Sequence, residues 1–373
     1  MIQNSIVYKE DIFSILCSDL DWSKLNNKSI LITGASGMIG SFLVDLLMQR
    51  NKEYRSNICI YALGRNKERA KMRFSPYFQD DKFKFIEHDI NDELQEIGNI
   101  NYIIHAASNT HPVAYSTDPV GTITTNILGT YNLLNYASKH KVERFIFLSS
   151  VEIYGENRGD VEKFDETYCG YIDSNTLRAG YPESKRAGEA LCNAFIKKYN
   201  IDVVIPRLSR VYGPTSLSSD SKALSQFINN AVNDEDIVLK SKGNQHYSYC
   251  YVADVVGAIL TILIKGKSGE AYNVSDDYSN ITLRQLAEIL SSVNNRKVIY
   301  RLPDEEELVG FSKVTKAILD NSKLSKLGWK AKYDINKGLS QTVKVKRELR
   351  GVKKWKILLF WILLLDRWML VIM

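Results

Sequence analysis

A short apolar run, Ser29 to Thr33, leads directly into Gly34-Ala35-Ser36-Gly37-Met38-Ile39-Gly40, and helical periodicity follows from Met38 to Arg50. No other feature constrains the fold as strongly. The first glycine permits a tight reversal, the second lets backbone approach a bound pyrophosphate, and the third lets helix and strand pack closely. The helix then offers free N–H groups and the positive end of its dipole to those phosphates. Further apolar runs recur at Ile58 to Leu63, Phe83 to Ile86, Tyr102 to Ala106, Arg144 to Leu148 and Val203 to Pro206, with helical segments between them. That alternation predicts an α/β fold in which a parallel sheet is covered on both faces.

Past Arg207 the pattern is less regular. A helix over Val252 to Ile264, a strand at Ala271 to Val274, a helix over Leu283 to Leu290 and a strand at Val298 to Tyr300 suit a smaller α+β lobe. The expected organisation is a helical extension (1–28), a doubly wound dinucleotide-binding domain (29–206), a mainly substrate-binding lobe interleaved with it (207–345), and a basic then hydrophobic tail (346–373). Within the extension, Ile12, Phe13, Leu16, Leu20 and Trp22 give the segment Asp11 to Leu25 an amphipathic pattern, read as a helix packed on the main domain.

Composition narrows the chemistry. With 373 residues, 45% hydrophobic and 25% charged, the chain reads as an ordinary globular protein with room for a large core. Its net charge of +6 is mild and gathers near the C-terminus, which argues against nucleic-acid binding but not against an anionic small substrate. Five scattered cysteines without a C-x-x-C pair read as reduced thiols in a cytoplasmic protein. The five histidines have no metal-ligand spacing; His105 closes an apolar strand and reads as a packed residue, and no metal is expected.

Tyr181-Pro182-Glu183-Ser184-Lys185 supplies the reactive pair. Residues four apart on a helix share a face. A free phenol titrates near pH ~10, and an ammonium beside it favours the phenolate. Upstream, Ser149 and Ser150 end the strand that begins at Arg144, and ligands of open parallel sheets sit at the carboxyl ends of strands.

Together the G-x-x-G-x-x-G turn, the serine pair and Tyr181/Lys185 resemble the extended short-chain dehydrogenase/reductases, a Rossmann-like fold, and in particular their nucleotide-sugar branch. The resemblance covers roughly residues 29 to 345. It implies that Gly34, Ser36, Gly37, Met38, Ile39 and Gly40 hold a dinucleotide. Asp89 and Ile90 would then contact adenine, Ala106 and Ala107 would run beneath the cofactor, and Asn126 matches the family's helix asparagine. It also implies that Ser150 hydrogen-bonds the reacting sugar oxygen, Tyr181 moves its proton, and Lys185 lowers the pKa of Tyr181 while holding the ribose. The second strand ends in Arg65 with no carboxylate for the ribose hydroxyls. Arg65 either meets a 2′-phosphate or stacks on adenine, which leaves NADP open, and NAD is expected because the enzymes the chain resembles recycle a bound NAD.

Glu152 discriminates among reactions. By resemblance, 4,6-dehydratases carry Asp-Glu after their threonine and UDP-glucuronate decarboxylases carry Ser-Glu, whereas this chain has Val151-Glu152. Without the acid, hydroxide has no proton with which to leave. Ser108 leading to Asp118-Pro119, and Arg178 just before Tyr181, are similar to the decarboxylases. Two positions depart from the family: Arg210 stands where most relatives have asparagine, and Tyr247 where arginine is usual. The two changes compensate if one site gains the cation the other loses.

The expectation is therefore a nucleotide-sugar enzyme working by transient C4 oxidation, closest to UDP-glucuronate decarboxylases. The alternatives are a 4-epimerase or 4,6-dehydratase, or a non-catalytic dinucleotide-binding regulator. Glu152 has a plainer reading as a salt-bridged surface carboxylate. The resemblance implies a homodimer. The tail from Trp355 to Met373 spans nineteen residues with Asp366 and Arg367 inside it, and follows a basic flank; this suits peripheral membrane contact better than a span.

Overall fold

A computed structural model describes residues 1–110, 115, 117–301 and 314–351. The main sheet contains β1 (Ser29–Thr33), β2 (Cys59–Gly64), β3 (Phe83–Glu87), β4 (Tyr102–His105), β5 (Arg144–Phe147), β6 (Ser149–Ser150) and β7 (Val203–Leu208). After β8 (Arg210–Tyr212), β9 (Ile237–Leu239) and β10 (His246–Tyr251) pair elsewhere, β11 (Ala271–Val274) closes its edge. The order is β11-β7-β5-β4-β1-β2-β3, with β6 also on β7. All these pairings are parallel. Ile30, Leu31 and Ile32 are consecutive and fully buried, because helices cover both faces. The winding reverses between β1 and β4, which opens a crevice where Gly34 and Ala106 leave the sheet.

The second lobe is built around β10. It pairs antiparallel with β12 (Asn280–Thr282) and parallel with β8, and β14 (Lys316–Ala317) adds on parallel. A separate pair joins β13 (Val298–Tyr300) to β9. A helix over Ala223–Asn233, absent from the sequence expectation, leads into β9. The strand expected to end at Pro206 continues to Leu208, because Arg207 and Leu208 pair with Asn273 and Val274 on one side and Ser149 and Ser150 on the other.

The N-terminal helix is displaced from its expected position. It covers Ile6–Leu16 rather than Asp11 to Leu25, with a single 3-10 turn at Trp22–Leu25. Ser5 starts it early by capping the N–H of Tyr8. Its buried face is Val7, Tyr8, Asp11, Ile12, Ile15 and Leu16, while Phe13 is exposed. Asp11 is buried because the Tyr251 hydroxyl donates to it at 2.5 Å.

A buried carboxylate anchors this helix to the one that follows β1. Asp45 accepts from Tyr8 Oη at 2.6 Å, Tyr77 Oη at 3.0 Å and Gln3 Nε2 at 2.9 Å, and pairs with Arg73. Removing one member of a buried ion pair strands the other charge. Arg73→Ala is therefore expected to lower the unfolding free energy by about 3 kcal/mol, read from denaturant melts; an unchanged midpoint would show the remaining donors suffice.

Candidate active site

The glycine turn has the geometry of a phosphate cradle. Gly34 adopts φ +63°, and a Cβ there would lie 2.8 Å from the backbone of Ala106 and Ala107. At Gly40 a Cβ would come within 2.5 Å of Gly34 O. The helix Met38–Tyr54 begins at Gly37 with no side-chain cap, so its first N–H groups face the crevice without a side-chain acceptor. Ser36 lies within this turn, and Met38 and Ile39 line the adjoining cavity. At the far end the exposed Arg65 and the half-buried Asp89 sit 3.7 Å apart, flanking the crevice from the ends of β2 and β3. Ile90 is buried against the helix Pro119–Lys139, where Gly129 leaves room for it. These residues fit the pyrophosphate and adenosine of NAD.

Asn126 fastens the two helices beneath the reactive pair. It accepts from Ser108 Oγ at 2.7 Å and donates to Ser184 Oγ at 2.9 Å, and Ser184 in turn donates to Tyr181 O at 2.9 Å. Ser108, expected at the substrate, is thus held against Asn126. His105 is buried between Thr33 and Thr130 at 2.9 and 3.1 Å. Burial lowers it to about 3, with the charge of Lys185 adding to this, so it is a neutral packed group.

Tyr181 and Lys185 open the helix Gly180–Tyr199 and are both buried. Burial raises the Tyr181 phenol to about 12, against a downward pull from its hydrogen bond to Ser150 and from Arg178. Burial lowers the Lys185 ammonium to about 8. Lys185 Nζ donates to Leu148 O at 2.8 Å and lies 4.7 Å from the centre of the Phe147 ring. The expectation that Lys185 lowers the phenol's pKa is not met in this geometry: the ammonium is turned to a strand-end carbonyl, and desolvation governs the phenol.

Ser150 ends β6, and its hydroxyl accepts the N–H of Glu152 at 3.2 Å. Ser149 instead points into the core and donates to Glu189 at 2.5 Å. Glu189 also receives Arg207 through Nε at 3.0 Å and Nη2 at 2.7 Å. This bidentate pair props the strand end under Ser150.

Glu152 is salt-bridged, as its plainer reading had it, but it is not a surface residue. It lines a cavity of about 520 Å³ together with Ser150, Tyr181, Arg178, Arg210, Lys222 and Tyr247. Its Oε2 meets Arg178 at 2.8 Å and its Oε1 meets Arg210 at 3.8 Å. Burial would raise this carboxyl, but Arg178 and then Arg210 hold it below the usual glutamate range. The Arg210 guanidinium stacks 3.7 Å from the centre of the Tyr247 ring, while Tyr247 Oη donates to Val314 O at 2.6 Å. Because Arg210 pairs with Tyr249 across β8 and β10, the two departures read in the sequence are neighbours. A cation carried on β8 therefore lies over the Tyr247 ring of β10.

Sequence reasoning missed Tyr115 and Lys222. Tyr115 packs its ring 5.2 Å from Tyr181 and carries Arg178 at 4.7 Å on its face. Lys222 lines the cavity ahead of the helix Ala223–Asn233; burial lowers its pKa, with Asp220 opposing. Neither sits in a recognisable motif.

Because burial brings the Lys185 ammonium down to about 8 and its charge is expected to hold the cofactor ribose, kcat/KM is expected to fall on the alkaline side with a limb near that value. A profile flat to pH 10 would show that the ammonium stays charged. Among the described residues, no three His, Cys, Asp or Glu side chains gather to hold a metal, and no helix is long and apolar enough to cross a membrane. The tail 355–373 lies outside the described residues. Comparison with known proteins matches residues 30–275 to the family described as NAD dependent epimerase/dehydratase. UDP-glucuronic acid decarboxylase 3 of Arabidopsis thaliana is 30% identical over 317 residues, covering 84% of this chain and 87% of the relative. The dTDP-D-glucose 4,6-dehydratase of Mus musculus is 27% identical over 343 residues, covering 88% and 91%. Among solved structures, UDP-glucose 4-epimerase of Thermotoga maritima with UDP-glucose superposes with a TM-score of 0.73 at 26% identity, covering 86% and 99%. A glycine cradle at the switch point, a serine at a strand end beside a tyrosine–lysine pair on the following helix, and this span of likeness agree: the chain belongs to the NAD-dependent epimerase/dehydratase family of nucleotide-sugar enzymes.

Proposed function

We propose that this protein decarboxylates a UDP-linked uronic acid by way of transient oxidation at C4. The observation that carries the reading is the cationic cluster beside Tyr181. Arg178, Arg210 and Lys222 face one cavity with Ser150 and Tyr181, so the sugar entering it meets both proton-moving groups and a place for an anion. Relatives named UDP-glucuronic acid decarboxylase support the same direction.

NAD bound along the Gly34–Gly40 turn supplies the acceptor and later the donor of the C4 hydride. Tyr181, entering as the phenolate that its hydrogen bond with Ser150 and the charge of Arg178 favour against burial, takes the proton of the C4 hydroxyl, and Ser150 fixes that oxygen's position. A carbonyl at C4 leaves the C6 carboxylate β to it. Carbon dioxide then departs, its bonding electrons fall into an enolate, and the Ser150 and Tyr181 hydroxyls stabilise the developing oxyanion. Val151 in place of a carboxylic acid leaves dehydration without its proton donor. Asn126, through Ser184, keeps Tyr181 at the depth this chemistry needs.

The protein is further read as a homodimer. Val120, Leu128 and Tyr131 on the helix Pro119–Lys139 are exposed, as is Tyr199 at the end of the neighbouring helix, and a second copy of this face would cover them. Replacing Leu128 by Glu is expected to shift the mass seen by sedimentation from two chains to one; an unchanged mass would place any interface elsewhere. For the reaction, incubation with UDP-glucuronate is expected to yield a product lighter by carbon dioxide, with Tyr181→Phe lowering kcat by about 10²- to 10⁴-fold. Loss of water, or an isomer of equal mass, would sink the decarboxylase reading in favour of a dehydratase or epimerase. Cofactor binding with no turnover of any nucleotide sugar would favour a regulator.

A further inference from the structure

Among the described residues the cluster around Glu152 is not balanced. Arg178, Arg210 and Lys222 meet there, and the described carboxylates facing them are Glu152 and Asp220, the latter 3.9 Å from Lys222. Glu152 does not use all the donors offered to it. Arg178 Nη1 and Arg210 Nε are buried with no hydrogen-bond partner among the described residues. A desolvated cation with unused N–H groups is costly unless an anion arrives to meet it.

The position of the cluster says where on a ligand that anion sits. Arg178 stands three residues ahead of Tyr181 and rests on Tyr115, which also packs against the Tyr181 ring. Glu152 follows Ser150 by two residues, and Ser150 hydrogen-bonds the same phenol. Arg178 therefore belongs to the reacting end of the cavity. An anion satisfying both arginines is then carried by the sugar ring.

From these contacts we infer that Glu152 holds the place of the substrate's own carboxylate: the sugar carboxylate displaces Glu152 from Arg178 and Arg210, and the freed Glu152 is left beside Ser150. This rests on the uronic-acid reading above and adds a selection step to it. The ion pair closes the anion seat in the resting protein. A neutral sugar has nothing to exchange for Glu152 and leaves the arginines engaged. An anionic sugar opens the seat and moves a carboxylate toward the ring in the same event.

The exchange makes an unusual prediction, because removing a carboxylate from a binding cavity should tighten one ligand selectively. If Glu152 occupies the arginines nine-tenths of the time, the seat is open in about a tenth of molecules, and apparent affinity is reduced by that fraction. Calorimetric titrations of the NAD-loaded protein, made in a Tyr181→Phe background to stop turnover, would compare UDP-glucuronate, UDP-glucose and UDP. Glu152→Gln is expected to bind UDP-glucuronate about tenfold more tightly, with UDP-glucose and UDP changed less than about twofold. Arg210→Gln should do the reverse, weakening UDP-glucuronate while sparing UDP-glucose; thermal melts of each variant would confirm a folded protein. Equal tightening of all three ligands would mean that the diphosphate competes with Glu152, and overturns the inference. Unchanged or weaker UDP-glucuronate binding also overturns it, and if carbon dioxide release from the otherwise unmodified enzyme persists, the proposed reaction survives alone. Failure to bind UDP-glucuronate, with turnover of a different nucleotide sugar, removes both.

Discussion

The close approach of the β1 turn to the backbone leaving β4 is the constraint on which the rest of the molecule depends. Gly34 has no Cβ, and the space a Cβ would need is filled by Ala106 and Ala107. Ala107 N also donates to Thr33 Oγ1 at 3.1 Å, so the two strand ends are joined by a hydrogen bond as well as by contact. This contact lies where the strand order reverses. It fixes the mouth of the crevice, and every group described at the site is placed relative to that mouth: the open helix end on one side, Ser150 and the Tyr181 helix on the other.

The site spreads its electrostatic cost unevenly. Lys185 and Tyr181 are both desolvated, and burial moves each toward its neutral form, the ammonium down and the phenol up. Glu152 is the opposite case, where two guanidinium groups more than offset burial and keep it charged. Beneath them, the Glu189–Arg207 pair carries ionic character that serves geometry: it sets the end of β7 against Ser149. Charges facing the cavity and charges supporting it are thus separate systems, although Ser149 and Ser150 are adjacent in the chain.

Much of the fold could be read from the sequence because parallel strands buried on both faces appear as continuous apolar runs. β1 and β11 fall where those runs predict, and β13 matches its expected range although Ile299 and Tyr300 are exposed. The strands that were missed include β8, β9, β12 and β14, with two or three residues each, too few for periodicity to register, and the six-residue β10, whose polar and aromatic HYSYCY run has no continuous apolar signature. The N-terminal helix was misplaced because its burial includes Asp11, a residue that reads as polar until Tyr251 is brought to it from 240 positions away. The site divides in a similar way. Motif spacing put Ser150, Tyr181 and Lys185 on neighbouring elements, yet only the folded chain shows Lys185 facing Leu148. Arg210 and Tyr247 stood out as separate departures, but their stacking follows from the β8–β10 register, which has no local signature.

The N-terminal helix bears on the site although none of its residues reaches the cavity. At one end Tyr8 holds Asp45, on the helix that opens from the glycine turn. One turn later Asp11 holds Tyr251, the last residue of β10, whose strand also carries Tyr247. A single rigid rod is therefore pinned to the cofactor side by one hydroxyl–carboxylate contact and to the sugar side by another. Such a cross-brace ties the helix that opens from the glycine turn to the strand that carries Tyr247, through residues that do not line the cavity between them.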